Sequence, residues 1–185
     1  GELWNWVWTR DIAYATELGL AWLDPERAAN SLLLKLSERK DGGDLQIVQD
    51  TGTGGSWPVS TDRVTWARGA LAVLRYHDHP ELRAAAIEAL RNTVAADRRY
   101  AFDEADGLYR GETSFLDWRE QSYASWTAND VVHIAQSKSL STNLNHLFAL
   151  RALELLTGEL SGSEELAAAI DRAFWDGARY RSFIT

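Results

Sequence analysis

The chain has 185 residues, the size of one domain with a buried core, and no linker or low-complexity stretch divides residues 1–185. It is 45% hydrophobic and 25% charged, the balance of a soluble globular protein, and no apolar run approaches the ~20 residues of a membrane span. A formal net charge of −8 without a Lys/Arg cluster argues against nucleic acid as a partner, and zero cysteines exclude disulfides and thiolate metal sites.

Trp4, Trp6 and Trp8 alternate with Asn5 and Val7, so an extended segment would put three indoles on one face. Such a face either packs in a core or stacks on sugar rings; Trp8, beside the first helix, favours stacking. That helix is predicted from about Asp11 to Leu23, with Thr9 as N-cap. Ile12, Tyr14, Leu18, Leu20, Trp22 and Leu23 make it apolar nearly all round, which predicts burial on most sides. Asp24-Pro25 opens a second helix whose single stripe is Ala29, Leu32, Leu33 and Leu36.

The third helix follows Ser60-Thr61, with Ala67, Ala70, Leu71 and Leu74 in register. The fourth opens at His79-Pro80 and runs to about Arg99, with Ile87, Leu90 and Val94 inward. Its solvated face carries Glu81, Arg83, Glu88, Arg91 and Arg98. Turn residues between Phe102 and Tyr109 predict a hairpin. The fifth helix spans about Ser139 to Thr157 and the sixth about Ser163 to Trp175, before a short strand over Arg179 to Ile184.

Connections after the odd helices are short, whereas Lys40 to Ser60 and Tyr100 to Lys138 are long. Loops beyond ~12–15 residues in a compact domain tend to carry function, and these are rich in Trp and Gly. In an up-and-down array every odd helix starts at the same end. Trp8 to Asp11, Gln49 to Gly55 and Glu112 to Gln121 each precede an odd helix, so the three motifs should converge on one rim. Three such helical hairpins make an arc, which predicts an all-α fold forming about half of a closed (α/α)6 toroid.

Arg10-Asp11 is either an ion pair at a helix start or a planar hydrogen-bonding pair for vicinal hydroxyls. The glycine-rich run from Gln49 lacks the Lys-Ser/Thr ending of a phosphate loop. It fits close backbone approach to a ligand or a helix, with Asp50, Trp57, Asp62 and Arg63 beside it. The densest constellation is Glu112, Asp117, Arg119 and Glu120 among Phe115, Leu116, Trp118 and Tyr123. Carboxyls among aromatics are desolvated, which favours the protonated acid that cleavage of a glycosidic bond requires. A salt-bridged loop, with Arg119 neutralising one acid, is the plainer alternative. The histidines have no metal spacing, and of them only His146, one turn after Asn143, is placed to face a cavity. No cofactor or metal is expected.

At these residues the chain resembles the six-hairpin (α/α)6-barrel glycosidases, the superfamily of glucoamylase, trehalase, processing α-glucosidases and α-L-rhamnosidases. Over Gln49 to Arg63 and Glu112 to Tyr123 it is most similar to bacterial six-hairpin glycosidases. Trp8-Thr9-Arg10-Asp11 resembles the Trp-x-Arg-Asp that holds the sugar at the cleavage point. The loop holding the general acid resembles Glu-Ser-Gly-Trp-Asp-Phe in trehalases, which implies Asp117, with a spacing from Glu112 that differs by one residue. The glucoamylase form, Leu-Trp-Glu-Glu, implies Glu120 instead.

The resemblance implies hydrolysis of an oligo- or polysaccharide, by inversion in many relatives, with a carbohydrate substrate as partner. Asp117 and Glu120 would be catalytic, and Trp8, Arg10, Asp11, Asp50, Trp57, Asp62, Arg63, Glu112, Trp118 and Arg119 would bind substrate. The second catalytic carboxylate of such enzymes comes from near the last hairpins, so the remainder of the barrel is expected downstream. Two other readings are a non-catalytic carbohydrate-binding scaffold and a sugar epimerase, whose toroid relies on histidines.

Overall fold

The computed structural model, which describes residues 7–38, 43–48, 62–111 and 130–184, is mostly helical with three small antiparallel ladders. The first helix is composite: α1 (Thr9–Ala15), a π-turn (Thr16–Leu20) and α2 (Ala21–Leu23). Trp8, not Thr9, holds the N-cap position. Thr9 is instead the first helical residue, and its hydroxyl donates to the Val48 carbonyl at 2.6 Å, tying α1 to the chain 39 residues on.

α3 (Pro25–Leu33) starts where the sequence predicts, because Asp24 accepts from the Arg27 amide at 3.3 Å and Pro25 needs no amide partner. It ends before Leu36, which the apolar stripe had included. The Lys35 amide closes a tight bond to Leu32 O at 3.0 Å, and Leu36 opens β1 (Leu36–Glu38), paired with β2 (Leu45–Ile47).

A 3-10 turn (Asp62–Thr65) leads into α4 (Trp66–Tyr76). His79 caps α5 (Pro80–Tyr100): its Nδ1 accepts from the Leu82 amide at 3.2 Å, and Pro80 again takes the first position. β3 (Phe102–Asp103) and β4 (Leu108–Tyr109) form the expected hairpin, with Gly107 at φ 77°. α6 (Val131–Gln136) follows, then β5 (Lys138–Ser139), which pairs with the expected C-terminal strand β6 (Phe183–Ile184).

α7 (Leu140–Thr157) is capped by Ser139 and ends at the left-handed Gly158. α8 (Ser163–Phe174) is capped from the helix before it. The Glu154 carboxylate accepts from the amides and hydroxyls of both Ser161 and Ser163 at 2.8–3.3 Å.

Helix pairs α1–α3, α4–α5 and α7–α8 are consecutive hairpins, and α1 packs on α4 and α4 on α7. The first contact is close because Gly69 has no side chain: a Cβ there would lie 3.2 Å from Ala13 Cα and 3.0 Å from Leu32 Cδ2. One core gathers α1, α3, α4 and α5 around Leu32, Trp66, Ala70 and Leu90. A second joins the β3–β4 hairpin to α8 around Leu108, Leu166 and Phe174. α7 serves both, with Ala149, Ala152 and Leu153 in the first and Leu147 and Leu150 in the second.

The composite first helix is less buried than its composition predicts. Ala13, Thr16 and Ala21 face inward, but Leu18 is 83% and Trp22 73% exposed, because α3 and α4 cover one side only. No described helix is long and apolar enough to cross a membrane.

Candidate functional site

The 3-10 turn at the head of α4 packs against both α1 and α7. β2 enters this junction pinned to α5: the Ile47 amide donates to Thr93 Oγ1 at 3.0 Å, and Asn92 Nδ2 to Leu45 O at 2.9 Å. Trp8 is exposed at the head of α1, and Asp11 is exposed in its first turn. Arg10, between them, is only 7% exposed and has a partner. Arg10 and Asp11 therefore occupy different environments and do not pair with each other.

Behind the junction lies a buried polar network. Arg63, in the 3-10 turn, forms an ion pair with Asp97 near the end of α5, and neither side chain is more than 3% exposed. The other Asp97 oxygen faces His146 Nε2 at 3.2 Å, and His146 Nδ1 faces the Thr142 carbonyl at 3.0 Å. Both ring nitrogens thus face oxygen atoms, which holds the imidazole in place between α5 and its own helix. Asn143 fixes the neighbouring strand, accepting from the Tyr109 amide at 2.8 Å and donating to the Tyr109 carbonyl at 3.0 Å. Burial first, then the negative charge of Asp97, pushes the Tyr109 phenol well above its usual ionisation range.

A second charged cluster links the same three helices further along. Arg68 of α4 donates to Glu17 of the π-turn at 2.8 Å, and its guanidinium lies 4.4 Å over the ring of Phe148 in α7. Lys35, fully buried and partnered, lies where Val48 N donates to Lys35 O at 2.9 Å.

Of the residues predicted to bind or react, Arg63 lies in the 3-10 turn that Asp62 opens, and that turn packs against α1, which holds Arg10 and Asp11 and has Trp8 at its N-cap. Asp50, Trp57, Glu112, Asp117, Trp118, Arg119, Glu120 and the Asp62 side chain lie outside the described residues. Asp97, Tyr109 and Lys35 escaped the sequence reading. Asp97 did leave a signal, because it continues the buried stripe Leu82, Ala86, Ala89, Leu90 and Thr93 at helical spacing.

No family model matches the chain, and neither a curated protein nor a solved structure matches it. With an exposed indole and carboxylate beside a buried guanidinium, the junction can offer stacking and hydrogen bonding to a polyhydroxylated ligand.

Proposed function

We propose that the chain contributes to a glycoside hydrolase of the (α/α)6 type, supplying three of the hairpins that close such a toroid. The observation that carries this reading is the packing of the 3-10 turn that holds Arg63 against both α7 and α1, the helix headed by Trp8, Arg10 and Asp11. Three consecutive helical hairpins with α1, α4 and α7 packed in order support the toroid.

In this reading Trp8 stacks on a sugar ring at the cleavage point and Asp11 accepts hydrogen bonds from its hydroxyls. Arg10 and Arg63, both buried, hold the loop ends in place. Asp117 is the general acid, with Glu120 as the alternative, and Phe115, Leu116 and Trp118 around it in sequence favour its protonated form. Proton donation to the glycosidic oxygen is a step for which a carboxylic acid among aromatics is well suited. An inverting course follows if the second carboxylate stands far enough away, about 6.5–9.5 Å, to admit a water.

Reducing-sugar release from an oligosaccharide panel by the full-length protein tests the reading. Hydrolysis is expected, with kcat/KM lowered in Trp8→Ala and Asp11→Ala variants that keep the wild-type unfolding midpoint. Glycan binding without hydrolysis would replace the enzyme with a carbohydrate-binding scaffold.

A further inference from the structure

The segment from residue 112 to residue 136 leaves after β4 and returns at β5, and its two stems are joined at three successive levels. Nearest the segment, the Gly111 amide donates to the Ser137 carbonyl at 3.0 Å. One residue further along each stem, a single oxygen of Asp103 takes Arg110 and Lys138 together. Its Oδ2 accepts from Arg110 Nε at 3.1 Å and from Lys138 Nζ at 2.8 Å. One residue further again, the fully buried Asn143 holds Tyr109 and Ser139. Its Oδ1 accepts from the Tyr109 amide at 2.8 Å, and its Nδ2 donates to the Tyr109 and Ser139 carbonyls at 3.0 and 2.9 Å.

The middle link differs from the other two because one carboxylate on a third stretch of chain carries it. Asp103 is fixed by its ladder pairing with Leu108, and Lys138 is drawn in further by Asp106 at 2.6 Å. Fold stability alone asks less of a long surface connection, which ordinarily moves and varies more than the elements it joins. Links at three levels set the separation and direction in which the segment leaves and returns. Such control matters for a group that must meet a reacting bond, where a misplacement of about 1 Å can cost orders of magnitude in rate.

We propose that Asp103 is a positioning residue for the acid on this segment, binding Arg110 and Lys138 together so that the stems keep a fixed spacing. The inference rests on the hydrolytic reading, in which Asp117 or Glu120 on the segment donates the proton. Asp103 makes no contact with substrate in this account and acts only through the stems.

The test compares the full-length wild type with Asp103→Asn, Asp103→Glu and Glu154→Gln, on a natural oligosaccharide and on a dinitrophenyl glycoside of the same sugar. Asp103→Asn keeps the Oδ1 that accepts from the Ala105 amide at 3.1 Å and replaces the Oδ2 that holds both stems. It is expected to lower kcat on the natural substrate about tenfold with KM unchanged. On the dinitrophenyl glycoside, whose leaving group needs no proton, kcat should stay within about twofold. Asp103→Glu restores the carboxylate and should recover most of the loss. Glu154→Gln loosens the head of α8 instead and should leave both rates unchanged. Equal losses on the two substrates, or wild-type kcat in Asp103→Asn, would overturn the positioning role and leave the hydrolytic reading standing. A wild-type protein inactive on every glycoside would remove that reading and the role with it.

Discussion

Tyr109 and His146 lie face to face, with ring centroids 3.8 Å apart and planes 14° from parallel. One belongs to the β3–β4 hairpin and the other to α7, so the stack joins the second core to the ion network at the helix junction. Asp97 is the centre of that network, facing Arg63 on one side and His146 on the other.

Asp97→Asn should therefore be strongly destabilising. It removes the negative charge that faces both buried Arg63 and His146, and breaking a buried ion pair costs about 3–5 kcal/mol. Urea unfolding gives the value directly. A loss of less than ~1 kcal/mol, the range of exposed pairs, would mean the network is not dry.

Gly69→Val probes the contact between α1 and α4. Its side chain would meet Ala13 backbone and Leu32 at distances already tight for a single Cβ. Overpacking of this kind costs about 1–3 kcal/mol, read as a lower urea midpoint. Gly158→Ala, at a left-handed position with open space around it, should lose only about 1 kcal/mol from backbone strain.

The ion cluster on the hairpin predicts a pH dependence. Asp103 accepts from Arg110 Nε at 3.1 Å and Lys138 Nζ at 2.8 Å, and these bonds hold its carboxyl well below the usual carboxylate range. The unfolded chain therefore takes up this proton at higher pH than the folded one. Stabilisation by Asp103 is complete above the ordinary range near pH ~4 and is lost as pH falls below it. Asp103→Asn should flatten the acid limb of a stability profile from urea unfolding between neutral and acid pH. An unchanged acid limb would contradict the assignment.

Glu154 predicts a local effect. Glu154→Gln keeps the size of the side chain but replaces one of two acceptor oxygens at the head of α8. A loss of about 1 kcal/mol is expected, as for removal of a helix cap, with faster amide exchange confined to the first turn of α8. Exchange unchanged there would mean the carboxylate does not hold that turn.

What the sequence made legible was what local chemistry decides. Asp24-Pro25, His79-Pro80 and Ser139 mark helix starts within one residue, because a cap and a proline act on their own turn. The Phe102–Tyr109 hairpin was readable for the same reason. Thr9 misled because Trp8 takes the N-cap position and Thr9 is the first helical residue, its hydroxyl donating to the distant Val48 carbonyl. Asp97 was passed over because a charge on an amphipathic helix ordinarily faces water, whereas here Arg63 and His146 make burial tolerable. Leu18 and Trp22 show the converse, apolar residues left in solvent where no described helix covers them.

We propose that Asp117 donates the proton to the leaving group. It is tested most directly by comparing Asp117→Asn on a natural oligosaccharide and on a dinitrophenyl glycoside of the same sugar, using the full-length protein. The account predicts a loss of about 10²–10⁴-fold on the natural substrate and a far smaller loss on the dinitrophenyl one, whose leaving group needs no proton. Full activity on the natural substrate in both Asp117→Asn and Glu120→Gln would contradict it.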